Sequence, residues 1–205
     1  MDFQRDDQAR LHTARPLRYP QPMSQAQAGN AGTGPEVSAD TLRILMPSSL
    51  GPIGVELTGT AVTLLRFEPS GPELSTFTPL HRIDGSDLID EVFGRLSEYF
   101  AGARRKLDLA LDLGPFGASP QTRRVLKETA RIPYGKTRTY QVLAEAAKVP
   151  EGACQVMAIL GENPLPILIP CHRVVTDPLH IGGYIGGPER KRWLLELEQQ
   201  GAELL

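Results

Sequence analysis

The sequence predicts an α+β protein, with a small sheet-containing unit followed by a mostly helical one. Three observations carry this. "IGVELTGTAVTLLRF" (53–67) has alternating apolar runs on both sides of "TGT". "DLIDEVFGRLSEYF" (87–100) repeats its apolar residues at helical spacing. From Ser119 onward, short helical stretches follow one another, divided by prolines and glycines. The 205 residues suffice for one ordinary domain or two small ones, and an apolar fraction of 40% is compatible with a real core.

Residues 1–40 read as a disordered tail. "RPLRYPQPMSQAQAGNAGTGPEVSAD" is rich in Pro, Gly, Gln, Ala and Ser, and buries too little to offset its own ordering entropy. Structure is expected from Thr41. The two runs around "TGT" make a β-hairpin. Leu88, Ile89, Val92, Phe93, Leu96, Tyr99 and Phe100 then form the buried stripe of an amphipathic helix. In "KLDLALDL" the leucines 107, 109, 111 and 113 alternate, which predicts a half-buried strand. Residues 41–115 thus form a small structural α/β domain, without a nucleophile beside a base, a phosphate loop or a metal cluster.

"GPFGASP" (114–120) marks a boundary, and residues 116–205 form the second domain. "SPQTRRVLKETARIP" opens with a Ser119 cap and Pro120 at the first helical position, and ends at Pro133. "PYGKTRTY" reads as a loop. "TYQVLAEAAKVP" is a short helix carrying Val142, Leu143, Ala146 and Ala147. After a break at "VPEG" comes a second, "ACQVMAILGEN". The pair has helix-turn-helix proportions, a signal shared with many helical hairpins that bind nothing. "PERKRWLLELEQQ" starts at Pro188 and buries Trp193, Leu194 and Leu197.

Charge and cysteine content narrow the function. The net charge of −2 argues against a strong polyanion binder. Residues 116–205 carry eleven basic and nine acidic side chains and are the only net-positive third, a weak pointer to a nucleic-acid face and equally a mixed solvated surface. Two cysteines, Cys154 and Cys171, make no disulfide framework, and no Cys/His spacing suits zinc. No metal or cofactor is expected. No stretch is long enough to cross a membrane, and the N-terminus has no signal-peptide core. A reducing cytoplasm is the expected compartment.

"PILIPCHRVV" (166–175) places Cys171 directly beside His172. The pair reads as a nucleophile with a neighbouring base, or as a buried cysteine and a satisfied histidine at a strand end; the dipeptide alone favours the second. The longer string closely resembles the active-site segment of the O6-alkylguanine-DNA alkyltransferases, the methylated-DNA–protein-cysteine methyltransferases. "RRVLKETARIPYGKTRTYQVLAEAA", "GENPLPILIPCHRVV" and "IGGYIGGPERKRWLLELE" fall in that family's order. The resemblance covers about residues 116–200, and more loosely 41–115.

The resemblance implies a small N-terminal domain with a ribonuclease-H-like sheet, and a helical DNA-binding domain with a helix-turn-helix. It implies a monomeric, single-turnover repair protein that needs no protein partner. It would flip an alkylated guanine out of duplex DNA and move the alkyl group to Cys171. His172 would take the thiol proton through a water, and Glu198 would polarise His172. Glu198 is otherwise one acid on the last helix, yet it lies one turn after Leu194, so inward placement is open to it. Tyr140 would protonate the leaving guanine and Asn163 would brace the turn before the active-site segment. Tyr184, Ile185 and Gly186 would form the base pocket. DNA contacts would come from Arg138, Cys154, Gln155, Met157, Ala158 and Arg173. Displacement at carbon needs a thiolate, and a base stacked in duplex cannot present that carbon, so both demands are chemical.

The chain departs from the family pattern in the second helix of the pair. Cys154 stands where an arginine is usual, and Met157 and Ala158 where small residues, often glycines, are usual. Gly161 and Glu162 stand where a basic residue is common. "ACQVMAILGE" therefore has one acid and no Lys or Arg, which weakens phosphate binding. Met157 obstructs the minor groove or serves as an apolar wedge; Gln155 is an alternative intercalating side chain. Cys154 reads as a small residue packed and inert on its helix, in preference to a second reactive thiol near the DNA face. The rival readings are an alkyltransferase-like lesion sensor, in which the acceptor cysteine is replaced, and a degenerate paralogue with weak DNA binding.

Overall fold

The computed structural model describes residues 41–83 and 87–203; the tail expected over 1–40 lies outside them. Four strands form one sheet in the order β3-β2-β1-β4. β1 (Thr41–Met46) pairs antiparallel with β2 (Ile53–Thr58), which pairs antiparallel with β3 (Ala61–Phe67). The short β4 (Thr78–Pro79) lies parallel to β1. The "TGT" hairpin is present between β2 and β3. Gly59 sits at φ 60, a left-handed conformation that a tight hairpin turn requires and glycine adopts without strain.

Helix α1 (Asp87–Phe100) buries Ile89, Val92, Phe93, Leu96, Tyr99 and Phe100, the stripe its spacing dictates. These side chains join strand residues such as Ile44, Ile53 and Val55 in a single core. Full burial of each large apolar side chain contributes roughly 1.5–3 kcal/mol, so the stripe fixes the helix firmly.

The strand expected over 107–113 is not regular. It makes one bridge to β3, with Val62 N–H donating to Ala110 O (2.9 Å) and Asp112 N–H donating to Val62 O (3.0 Å). Asp108 is at φ 47, which takes the chain out of extended geometry, and Arg95 Nη1 donates to the carbonyls of Leu107 (2.8 Å) and Asp108 (2.5 Å) instead of a neighbouring strand. The leucine alternation is real, but side chains alone do not supply a pairing partner.

Helix α2 (Pro120–Ala130) starts as expected, with Ser119 Oγ accepting from Thr122 N–H. It ends at Ala130 with Arg131 as its C-cap, and Pro133 two residues beyond cannot continue it. The "PYGKTRTY" loop closes with a two-residue strand, β5 (Arg138–Thr139), parallel to β6 (Val174–Val175). That partner lies 36 residues on (Arg138↔Val174), so no local pattern announces it. Then come α3 (Tyr140–Ala146), capped by Thr139, α4 (Gly152–Gly161) and α5 (Pro188–Glu203). Trp193 and Leu197 are half-buried against the core, while Leu194 is fully buried.

Residues on both sides of 114–120 lie in one compact unit. Leu65 N–H donates to Pro164 O at 2.8 Å, and Arg190 Nε donates to Leu50 O at 2.9 Å. These bonds tie β3 to the segment before Cys171, and α5 to the β1–β2 connection. No helix among the described residues is long and apolar enough to cross a membrane.

Candidate active site

The segment between α4 and Cys171 turns sharply. Ile167 is at φ 73, a left-handed conformation that a β-branched residue avoids, and it is buried. Such a residue costs about 1–3 kcal/mol and persists only where its surroundings hold it. Asn163 is what holds it. Its Nδ2 donates to Ile169 O (3.0 Å) and its Oδ1 accepts from Leu165 N–H (3.1 Å). The same Nδ2 donates to Cys171 Sγ at 3.1 Å. One side chain therefore braces the turn and binds the sulfur.

Cys171 is 3% exposed, at the start of a 3-10 turn running to Arg173. Burial pushes its thiol up to about 11, although Asn163, the Lys191 ammonium and the backbone amides of Cys171 and His172 all pull it down. At rest the group is a thiol, and a thiolate requires a base.

His172 is fully buried, and burial keeps its imidazole neutral by lowering its affinity for a proton. Its Nε2 lies 2.9 Å from Glu198 Oε1. Its Nδ1 has no hydrogen-bond partner among the described residues. Glu198, 1% exposed, accepts from Tyr99 Oη (2.5 Å), Gly135 N–H (3.0 Å) and the Arg173 guanidinium (Nη2 at 2.8 Å, Nε at 2.9 Å). Burial works against this carboxylate, but the His172 and Arg173 hydrogen bonds outweigh it and hold its pKa at about 2. An ionised Glu198 fixes the Nε2–H tautomer of His172, leaving Nδ1 as the basic nitrogen.

Arg173 is not where a DNA contact belongs. Expected on that face, it is 7% exposed, paired to Glu198, and its Nη1 donates to Ile132 O at 2.7 Å. A buried carboxylate needs a buried cation, and Arg173 supplies it.

Above Cys171 lies a cavity of about 220 Å³, lined by Tyr140, Met157, Leu160, Tyr184 and Ile185 among others. This is smaller than the roughly 300–1,000 Å³ of drug-sized ligand pockets. Tyr140 Oη donates to Gly183 O at 3.2 Å. Tyr184 packs edge-on to Phe67 and His172, with ring centroids 5.9 and 6.2 Å away. Gly186 lets this loop close, since a Cβ there would lie 2.7 Å from the rings of Phe67 and Tyr184.

The cavity brings together Tyr140, Met157, Cys171, Tyr184 and Ile185, while Asn163, His172 and Glu198 support it from behind. On α4, Cys154, Met157 and Ala158 are exposed and Gln155 is half-buried. Cys154 is thus not packed into the core: its helix turns Val156, Ile159 and Leu160 inward instead. Arg138 is half-buried on β5. Among the described residues no cluster of three or more metal-ligating side chains occurs.

Two members of the site escape sequence reading. Lys191 is fully buried and donates to Val174 O (2.6 Å) and Gly183 O (2.9 Å), with Nζ 5.6 Å from the centre of the Tyr140 ring. Its signal was its spacing, three residues before Leu194 and seven before Glu198, on the buried stripe of α5. Tyr99 reads as one more apolar member of α1, and nothing local marks its hydroxyl as a Glu198 ligand.

Fold and site together define a protein built around a buried, hydrogen-bonded cysteine, served by a His–Glu–Arg cluster and opening into a small apolar cavity. Residues 120–200 match the 6-O-methylguanine DNA methyltransferase, DNA binding domain. The methylated-DNA–protein-cysteine methyltransferase of Mycobacterium tuberculosis is 36% identical over 157 residues, 76% of this chain and 90% of that protein. That of Mycobacterium leprae is 35% identical over 163 residues, with coverage of 75% and 90%. Among solved structures, M. tuberculosis OGT in complex with DNA superposes with a TM-score of 0.67 at 34% identity, over 78% of this chain and 93% of that one. The chain belongs to the O6-methylguanine-DNA methyltransferase family.

Proposed function

We propose that the protein repairs DNA by moving the alkyl group of O6-alkylguanine in duplex DNA irreversibly to Cys171 Sγ. The observation that carries this is the sulfur itself, bonded to Asn163 and facing a cavity just large enough for a small planar group. The family membership supports the same reading.

The chemistry follows from the arrangement. His172, polarised by Glu198, takes the Cys171 proton through an intervening water. The sulfur lone pair forms a bond to the alkyl carbon as the carbon–O6 bond breaks, and that electron pair leaves on guanine. Tyr140 protonates the departing base. One proton leaves the thiol and one reaches guanine, so the exchange balances. The thioether is stable, and each molecule acts once. Tyr184, Ile185 and Gly186 wall the base, which must leave the stack to reach the sulfur. Residues 41–115, read as a ribonuclease-H-like domain, act as scaffold. Helices α3 and α4 act as the helix-turn-helix, with Arg138, Cys154, Gln155, Met157 and Ala158 toward DNA. The protein works as a monomer in the cytoplasm. The sensor reading is not favoured, since Cys171 is present.

The test is intact-mass analysis after mixing with a duplex carrying one O6-methylguanine. One methyl group gained on the Cys171 peptide, and none in Cys171→Ala, is the expected result. No gain while Cys171 still reacts with a small thiol reagent overturns the assignment.

A further inference from the structure

Two groups compete for Glu198. Arg173 donates to it twice, through Nε to Oε2 at 2.9 Å and Nη2 to Oε1 at 2.8 Å, a charge-assisted pair. His172 offers Nε2 alone, to Oε1 at 2.9 Å. A carboxylate that turned wholly toward the guanidinium would lose the histidine. A third donor opposes that turn. Tyr99 Oη donates to the same Oε1 at 2.5 Å and lies 3.4 Å from His172 Nε2.

Tyr99 is built to hold this position. It is buried on α1, and its ring packs edge-on against Phe100 and Tyr134, with centroids 5.7 and 6.1 Å away. Burial, then the neighbouring Glu198 charge, pushes its phenol well above the ordinary range, so at neutral pH it stays a donor. Among the described residues, the other groups bonded to Glu198 are Gly135, His172 and Arg173, all from residues 116–205. Tyr99 reaches it from residues 41–115.

We infer that Tyr99 is a positioning residue for the activation of Cys171: its hydroxyl holds Glu198 Oε1 against His172 Nε2, which keeps Nδ1 the nitrogen that takes the thiol proton. This rests on the proton route proposed above. Tyr99 itself gives up no proton, so the bond changes of transfer are unaltered. Residues 41–115 then do more than support the site, because the base is incomplete without a side chain of α1. The titratable and charged groups around this relay are Glu198 and Lys191 from α5, His172 and Arg173 from the turn, Tyr140 from α3, and Tyr134 and Tyr184. Tyr99→Phe alters none of them and keeps the aromatic ring.

The test labels the protein with a small thiol reagent between pH 6 and pH 10, read on the Cys171 peptide because Cys154 is also exposed. Methyl transfer from a duplex carrying one O6-methylguanine is followed beside it. In Tyr99→Phe, labelling at pH 7.5 and transfer should both fall about tenfold, with the labelling profile moved about one unit to higher pH. The gap in labelling should narrow at pH 10, where hydroxide replaces the base. Duplex affinity should not change, since Tyr99 is buried. Tyr134→Phe removes a phenol from the same aromatic cluster without a bond to Glu198, and should leave the labelling profile in place. An unmoved profile in Tyr99→Phe, or an equal shift in Tyr134→Phe, overturns the inference and leaves Tyr99 a packing residue. A shifted profile with no methyl transfer in the unaltered protein overturns the function instead, and keeps Tyr99 as the residue that sets the thiol.

Discussion

Lys191 Nζ and Tyr140 Oη converge on one oxygen, the carbonyl of Gly183, at 2.9 and 3.2 Å. The ammonium is buried with two carbonyls and an aromatic face around it, and no carboxylate bonded to it among the described residues. A buried cation held without a counter-ion is costly and is kept where it acts on something. The group it acts on is Cys171, whose thiol Lys191 pulls toward ionisation.

Burial lowers the Lys191 pKa to about 8, from an ordinary value of 10.5. The folded chain therefore releases this proton more readily than the unfolded one. Below pH 8 both states are charged and the full burial penalty is present. Between pH 8 and 10.5 the unfolded state holds more protons, so stability contributed by this group rises with pH. Comparing thermal unfolding of the wild type and Lys191→Met at pH 7 and pH 10, the difference should move toward the wild type by on the order of 3 kcal/mol. The same variant should alkylate about tenfold more slowly at pH 7.5, as the thiol loses its cation. Unchanged thiol reactivity would assign Lys191 to packing only.

Glu198 titrates the other way. Held at about 2 against an ordinary 4.5, it contributes stability above pH 4.5 that is lost as the pH falls toward 2. The contribution is on the order of 3 kcal/mol. Glu198→Gln should remove this acid-dependent phase and leave Arg173 buried without its anion, a loss of about 3–5 kcal/mol. Urea unfolding at pH 7 and pH 3 measures both. Labelling of Cys171 at neutral pH should slow in parallel, because a neutral amide no longer polarises His172.

How far the sequence could be read depends on where each determinant lies. The β2–β3 hairpin and α1 were legible because a turn glycine and a 3.6-residue stripe are local. The irregular 107–113 segment was not, since strand character there depended on a partner that bonds only at Val62. Cys171, His172, Asn163 and Glu198 were singled out through the family resemblance, and the structure clusters them. Arg173 was placed at the DNA through the same resemblance, and its carboxylate partner, 25 residues away, leaves no local signal of burial. Lys191 carried a spacing signal that its charge argued against.

Asn163→Ala tests the brace. The change leaves Leu165 N–H without its buried acceptor and the sulfur without its donor, while Ile169 O keeps the bond from Cys171 N–H. Each unsatisfied buried group costs about 1–3 kcal/mol, and Ile167 loses what holds its left-handed backbone. Unfolding free energy should drop by about 2–4 kcal/mol. Alkyl transfer should fall by more than the loss of folded protein explains, because the thiol loses a donor that favours its ionised form. Asn163→Asp should also fail to rescue transfer, since a carboxylate cannot donate to sulfur and repels a thiolate. Recovery of transfer in that variant would remove the hydrogen bond from the mechanism.

Helix α4, proposed above to face DNA, carries no Lys or Arg, and its exposed residues include Cys154, Met157 and Ala158. Phosphate neutralisation dominates non-specific affinity, and each contact adds about −0.9 to the slope of log K against log salt for duplex DNA. Cys154 is exposed, so Cys154→Arg adds a charge without disturbing the core. Met157 is 45% exposed at the cavity mouth, and its truncation opens the approach to Cys171. Fluorescence anisotropy with a labelled duplex at several salt concentrations separates the two effects. Cys154→Arg should tighten binding about tenfold at low salt and steepen the slope by roughly one contact. Met157→Gly should leave the slope unchanged, and it should speed transfer if Met157 obstructs the groove. A slower transfer would make Met157 the apolar wedge that holds the duplex open. If Cys154→Arg changes neither affinity nor slope, α4 is not the helix that meets DNA.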